Sequence, residues 1–428
     1  MPFTGAAGES NTVTTLSGNF KEVYVDLLEW LMPKSLRLQQ DISFVAADKM
    51  PGNHYNQPVV LQHEHGFTYA AAGAGAFALQ SPSAGLIANA QVVGAQMLLE
   101  SIMDYESSAR ASTGGKRAFV QATQYLVENM WQSSRKRLEA DLMYGQQGIG
   151  TVLTVTDVAN SVITVATPEW APGLWAGMEG ATLEFFNPGL TIENSANQTV
   201  KILSVDLVNR TITVDSNVVT TGAPDVIIGD RIFYNNQVVA TPTHNCMAGL
   251  HTILANTGAL FGINATTYSL WRSNSVAAGG INLSFETLQR AVALAAGKGA
   301  ESELTLYINP LTWATLLTDQ AALRRHTDPN KSARYIIGSE AIEFFSLVGK
   351  ITVKASIYCK EGYAYLISPP LFHRVGATDI TFRLPDRKDE FFQHLASFAG
   401  YGLRCYSNQA LFSEAPGKAT LITGIDNS

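Results

Sequence analysis

Along residues 116–144, KRAFVQATQYLVENMWQSSRKRLEADLMY, apolar side chains recur at helical intervals. Phe119, Ala122, Leu126 and Met130 fall at spacings of 3, 4 and 4 and draw one stripe along a single helix. Gly114–Gly115 precede the run and Gly145 follows it, where a C′ glycine would sit. At the usual rise the helix would be roughly 43 Å long, a strut rather than an ordinary globular helix.

A different period governs residues 55–70, YNQPVVLQHEHGFTYA. Val59, Leu61, His63 and His65 share one parity, and Val60, Gln62 and Glu64 share the other, which is a strand pattern. Gly66 breaks the run and could seat a bulge, after which Phe67 and Tyr69 continue it. From Ala70 to Gly85 the chain is mostly Ala, Gly, Ser and Pro, too small-sided to pack a core, and no residue from 66 to 99 is charged. The segment 90–108, AQVVGAQMLLESIMDYESS, suits a helix or a returning strand equally. Residues 53–108 therefore read as a long excursion with an uncharged tip.

Elsewhere the pattern alternates between these textures. Residues 1–19 are rich in Gly, Ser, Thr and Asn and read as a flexible arm. FKEVYVDLLEWLMPK (20–34) has helical spacing at Val23, Leu27, Leu28 and Leu31 and stops at Pro33, and MPGN (50–53) signals a turn. Six short runs within 151–234 are rich in Val, Ile and Thr: TVLTVTD, SVITVAT, ATLEFFN, QTVKILSVD, RTITVDS and DVIIGDRIFY. Separated by turn residues, with VNR (208–210) as a tight reversal, they predict a small antiparallel barrel or sandwich. LSFETLQRAVALAAGKG predicts a helix capped by Ser284 and ending at Gly297. LTLYINPLTWATLLTD predicts a strand, an Asn309 cap, Pro310 at the first helical position and a helix. EFFSLV, ITVKA and YAYLIS alternate as strands, and ITFRLPDRKDEFFQHLASFAGYGLRCYSNQALF (380–412) is a long β-rich close.

Composition narrows the possible chemistry. The 428 residues allow two or three units at about 150 residues each. Charged residues are 15%, against an average of about 25%, which points to surface hidden against copies of the chain or a partner. A net charge of −7 provides no basic field for nucleic acid. Cys246, Cys359 and Cys405 are odd in number and far apart, so they read as buried inert thiols in a reducing compartment. The N-terminus lacks the pattern of a signal peptide, and no membrane span is expected.

His63–Glu64–His65 is the one candidate metal motif, and it lacks a third ligand. Position 67 is Phe, so HExxH fails, and His54, His244, His251, His326, His373 and His394 show no ligand spacing. Both GK pairs, Gly115–Lys116 and Gly297–Lys298, fail the phosphate-loop pattern, no GxSxG occurs, and Gly73-Ala-Gly75 opens no dinucleotide fingerprint. Arg135–Lys136–Arg137, with Glu139 and Asp141 beyond, reads as a solvated helix end, and PDRKDE (385–390) as a mixed-charge turn; either could make intersubunit salt bridges. No catalytic residue, cofactor site or metal site is assigned.

The order of these segments resembles the tailed-bacteriophage major capsid protein of the HK97 fold, an α+β class. The residues that carry the likeness are YNQPVVLQHEHGFTYA as one limb of an E-loop and KRAFVQATQYLVENMWQSSRKRLEADLMYG as a spine helix. GLHTILANTGALFGINATTYSLWRSN and LYINPLTWATLL are similar to an axial domain, and DEFFQHLASFAGYGLRCYSNQALF to the strands completing a peripheral domain. The resemblance implies an arm over 1–50, an E-loop over 51–108 and a peripheral domain with spine helix over 109–150. It further implies an inserted β-domain over 151–240, an axial domain over 241–370 and return strands with the C-terminus over 371–428. Val59, Leu61, His63, His65, Phe67, Tyr69, Phe77 and Leu79 would be E-loop contacts between subunits, and Phe119, Ala122, Leu126 and Met130 would pack the spine helix.

By the same implication the chain would build hexamers and pentamers of an icosahedral shell around double-stranded DNA in a virion. It would be made in the bacterial host cytoplasm with no membrane association. Its partners would be other copies of itself, a separate scaffolding protein, a portal protein and a decoration protein. No Lys lies between Pro51 and Gly115, so a lysine cross-link from the loop is not expected. The alternatives are an encapsulin-like compartment shell, a tail component, and a metal-dependent hydrolase using His63 and His65.

Overall fold

The apolar stripe over residues 116–144 lies on one 29-residue helix, Lys116–Tyr144, in a computed structural model. That structure describes residues 35–45, 54–104, 116–194, 200–219, 225–239, 243–301, 303–318, 342–383, 392–394 and 400–427. The expected arm 1–19, helix 20–34, turns 50–53 and 385–390, and the side chains of Phe119 and Ala122 lie outside those residues. Met130 is buried with Leu403 and Cys405, and Leu126 packs at the edge of the same cluster. Gly145 does not take the left-handed conformation of a C′ glycine; Gln146 does, at φ 68°. The glycine is needed for close approach, since a Cβ on Gly145 would stand 2.2 Å from the Met247 carbonyl oxygen. Gly249 N–H bonds the Gly145 carbonyl at 2.9 Å, seating the short helix Leu250–Ala255 on the end of the long one.

The last turns of the long helix are buried on every side, which corrects the solvated-end reading. Leu138, Glu139, Ala140, Leu142, Met143 and Tyr144 are all buried. Lys136 Nζ bonds the Ala176 carbonyl, and the Arg137 guanidinium lies 3.1 Å from the Tyr234 ring centroid. Burial, with repulsion from Arg137, pulls Lys136 down to about 8. Lys136 thus finds a carbonyl acceptor inside the chain and Arg137 an aromatic face, not solvent.

Residues 150–234 close into a barrel in the strand order Arg231–Tyr234, Gly150–Val155, Val162–Val165, Thr211–Val214, Val200–Asp206, Thr182–Phe186. Five of the strands lie within the expected runs, and the sixth, Gly150–Val155, starts one residue ahead of its run. Val152, Ile163, Val165, Phe185, Ile202, Ile212 and Ile232 fill its interior. The reversal at 207–210 is held by Asp206, whose carboxylate accepts from the Val208 and Asn209 amides, and Arg210 turns at φ 57°.

Two larger sheets complete the body. One runs Asn274–Ile281, Thr420–Ile425, Tyr363–Ile367, Leu304–Ile308, Gly349–Ala355, Ile342–Ser346, so the chain's last strand sits in it. Helix Phe285–Gly297 packs on this sheet, its Ser284 hydroxyl accepting from the Thr287 amide at 3.3 Å. Helix Pro310–Thr318 starts as expected, with Asn309 Oδ1 accepting from the Leu311 amide at 2.9 Å. The other sheet is built on the long strand Gly400–Ser413, paired with Phe372–Thr381, Phe392–His394 and Ala95–Asp104. The ambiguous segment 90–108 therefore supplies strand in its described part, 90–104, because Gly400–Ser413 offers it a ten-residue partner edge.

A buried ion pair joins these parts. Lys360, fully buried, donates from Nζ to Glu169 Oε2 at 2.5 Å and to the Gly148 carbonyl at 2.9 Å, and sits 4.3 Å from the Tyr144 ring centroid. Burial raises the Glu169 carboxyl, but the Lys360 charge and bonds from Lys360 and Tyr363 outweigh it and hold the group low. The neighbouring Glu361 takes a two-pronged bond from Arg210 of the barrel, at 3.3 and 3.0 Å.

The short helix Arg37–Asp41 has Leu36 at its N-cap and no side-chain cap of its own. Glu139, about 100 residues away, replaces it by accepting the Leu38 amide at 2.8 Å and the Gln39 amide at 3.0 Å. Burial pushes Glu139 up to about 7 from an ordinary 4.5, against the two backbone bonds that favour its charge. The folded chain thus holds this proton more tightly than the unfolded chain. The resulting contribution is present below the ordinary value and lost as pH rises through about 7. In equilibrium unfolding of the unassembled chain, wild type should therefore lose on the order of 2 kcal/mol relative to Glu139→Gln between about pH 5 and about pH 8. Parallel pH profiles for the two proteins would refute the assignment.

Candidate assembly interface

The excursion over 54–104 begins as a two-stranded hairpin, Tyr55–Gln62 against Leu86–Val92, antiparallel from Tyr55↔Val92 to Gln62↔Leu86. Its ladder irregularity falls at Leu61, between Val60 and Gln62, and not at Gly66. Gly66 turns the chain instead, at φ 123°, and a Cβ there would meet Pro82 Cα at 3.0 Å. Beyond Gln62 the limbs touch through one isolated bridge, His65 to Ser83, with both N–H···O bonds at 2.9 Å. Within the tip, Gln80 N–H bonds the Thr68 hydroxyl and Ala74 N–H bonds the Ala71 carbonyl.

The base of the hairpin belongs to the body. Leu61, Ala90 and Val92 are buried in the main core, Val59 packs against it, and the Tyr55 ring meets Phe412 edge-on at 5.1 Å. Leu61 and Val59 thus face this chain's own interior. The other six sequence-picked loop residues are exposed: His63, His65, Phe67, Tyr69, Phe77 and Leu79. Phe67 is 73% exposed, Leu79 81% and Tyr69 91%, values that mark large apolar groups with nothing from this chain to cover them. Sequence parity missed Val60 and Ile87, a cross-strand pair at 61% and 64% exposure on the outward face. The alternation itself holds from Tyr55 to Gln62, but its odd positions turn toward the core and its even positions outward, the reverse of the face expected to meet a neighbour.

Among the described residues no group of three or more His, Cys, Asp or Glu side chains could hold a metal, so His63 and His65 stand without a third ligand. Cys246, Cys359 and Cys405 are free thiols, and burial pushes Cys246 up to about 12 and raises the other two. A thiol held so high supplies little thiolate at neutral pH. Among the described residues no helix is long and apolar enough to cross a membrane. What the hairpin offers is strand edges that pair with no further strand among the described residues, apart from the Gln91 N–H bonded to the Phe261 carbonyl at 2.9 Å, and an apolar, uncharged tip, the elements of strand addition and side-chain docking between chains.

No protein-family model and no curated protein sequence matches the chain. Solved structures do. The capsid asymmetric unit of cyanophage A-1(L) superposes with a TM-score of 0.57 at 11% identity, covering 97% of this chain and 99% of that one. The capsid of a native GTA particle reaches 0.48 at 9% identity, with 97% and 99% covered. An encapsulin complex from Synechococcus elongatus PCC 7942 reaches 0.41 at 9% identity, with 98% and 97% covered. The match to the cyanophage capsid runs over nearly the whole of both chains, and the chain has an HK97-like capsid fold.

Proposed function

We propose that the chain is a major capsid protein that assembles into hexamers and pentamers of a closed shell around double-stranded DNA. One observation carries the reading: a hairpin anchored at its base in the core ends in about 20 uncharged residues whose Phe67, Tyr69 and Leu79 lie open. In a lone chain that arrangement is a liability, because unpaired edges and bare aromatic groups invite association. In a shell the hairpin lies over a neighbouring subunit as an E-loop, pairing its edges and covering its tip. Contacts of a standard ~1,600 Å² each, repeated by symmetry, then stabilise the particle.

The other parts take roles consistent with this reading. The helix Lys116–Tyr144 is the spine, the six-stranded sheet forms the axial domain, and the barrel over 150–234 is an inserted domain. A net charge of −7 keeps packaged DNA from adhering to the wall during filling. A separate scaffolding protein, a portal and a decoration protein complete the set of partners, and the mature location is the virion. Shell contacts are non-covalent at the loop, which carries no lysine between Pro51 and Gly115.

Electron microscopy of the expressed chain, with and without its candidate scaffold, should show polyhedral shells or capsomer rings. A uniform small species from wild type would overturn the proposal. The double variant Tyr69→Asp/Leu79→Asp should change unfolding stability by no more than about 0.5 kcal/mol, since both side chains are exposed, yet abolish closed particles. His63→Gln/His65→Gln should still assemble at neutral pH. On a denaturing gel the wild-type particles should run as monomer, and a covalent ladder would contradict the non-covalent loop contact.

A further inference from the structure

Away from the hairpin, a cavity of about 920 Å³ opens where the short helix Leu250–Ala255, the C-terminal end of helix Phe285–Gly297 and the ends of three strands converge. That volume lies in the range of pockets that take small ligands. None of its 18 lining residues is acidic, although the whole chain carries −7. Two cations, Arg272 and Lys298, line it, and the Lys298 ammonium is held against the Arg272 carbonyl at 2.6 Å. Burial, and then repulsion from the Arg272 charge, lowers Lys298. Among the described residues no carboxylate pairs with either group.

Lys298 alone has an ordinary explanation, since a cation at a helix C-terminus meets the negative end of the dipole. That explanation does not reach Arg272, which brings a second positive charge to the same opening. Deeper in the cavity lies His251, 5% exposed, with Nδ1 at 3.0 Å from the Tyr365 hydroxyl. Nε2 is the nitrogen left for a ligand. The His251 ring stands edge-on to Tyr363 at 4.7 Å, so the same wall offers an aromatic surface. Two crowded cations, a spare imidazole nitrogen and an aromatic wall make an arrangement that an anion would relieve. An arginine fork and an ammonium suit the oxygens of a phosphate. The space beyond them is too large for the phosphate alone.

We propose that this cavity binds a phosphate ester of nucleotide size, with Arg272 and Lys298 on the phosphate and His251 Nε2 as a further polar contact. A free nucleotide and the phosphodiester of a nucleic-acid strand present the same chemistry, so both belong in the test. Titration calorimetry on the full chain at about 150 mM salt would use inorganic phosphate, deoxyadenosine monophosphate and a short single-stranded oligonucleotide. Saturable one-site binding of the nucleotide or the oligonucleotide is expected, weakened about tenfold or more in Arg272→Gln/Lys298→Gln. The better ligand of the two identifies the source.

Binding that the double variant leaves unchanged, or no saturable binding of any probe, would overturn the site. Loss of particles in the double variant without phosphate binding by wild type would do so as well, by giving the two cations to a contact between copies. Because Arg272 is exposed, Arg272→Gln alone should fold as wild type and already weaken binding about threefold, which separates a lost contact from a lost fold.

Discussion

The Lys360–Glu169 pair is the interaction on which the arrangement of the body depends. Removing an ammonium and a carboxylate from water costs several kcal/mol each, and the cost is recovered only where geometry and extra hydrogen bonds are good. Here the ammonium has Glu169, the Gly148 carbonyl and the Tyr144 face, and the carboxylate has the Tyr363 hydroxyl as well. These partners come from different places: Tyr144 and Gly148 from the end of the long helix, Glu169 from the turn after the second barrel strand, and Tyr363 from the six-stranded sheet. If one of them shifts, a buried charge loses its partner. The adjacent Glu361 repeats the link to the barrel through Arg210, so two consecutive residues of opposite charge fix the barrel to the rest.

Such fixing matters because the body and the hairpin are stabilised in opposite ways. The body finds internal partners for its buried charges Lys360, Glu169 and Glu139, the last standing in as the cap of a helix that has none. The hairpin, bonded to the body at its base through Gln91 and Phe261, leaves the rest of its edges and its apolar tip open, and a two-stranded ribbon alone is marginal in water. A stiff body with one unsatisfied arm is a sound division of labour for an assembling subunit. The arm's missing stabilisation then comes from another copy, and the body does not deform in taking it.

The parts legible in the sequence were those set by local pattern. The long helix, the Ser284 and Asn309 caps and the six barrel runs each follow from spacing or capping chemistry within a few residues. The parts that were not legible depend on partners far along the chain. Arg135, Lys136 and Arg137 look like a solvated helix end until Ala176 and Tyr234 are brought to them. Lys360 and Glu169 are 191 residues apart and carry no motif. Residues 95–104 became strand because Gly400–Ser413 supplies an edge, which no local propensity records. In the candidate interface the exposed tip was readable from its lack of charge. The choice between Val59 and Val60 was not, because which face of an alternating strand turns inward depends on partners far along the chain, such as Phe412 against Tyr55.

The joint between hairpin and body shows how the two behaviours meet. Between strands Leu86–Val92 and Ala95–Asp104 stands Gly94, where a Cβ would fall 2.0 Å from Asn408 Oδ1. On the other flank of the same long strand, a Cβ on Gly376 would fall 2.2 Å from the Asn408 carbonyl oxygen. Asn408 therefore sits between Gly376, whose backbone only glycine allows so close, and Gly94, against which its side-chain amide lies, at the point where the ladder with Phe372–Thr381 slips register. The returning limb leaves the sheet at this wedge, just before Leu61, Ala90 and Val92 enter the core. The direction of the hairpin is thus set by close packing at its base, while its exposed tip imposes no direction of its own. A Cβ at Gly94 would first turn the Asn408 amide aside, whereas one at Gly376 would meet the backbone of the long strand itself and force the two strands apart.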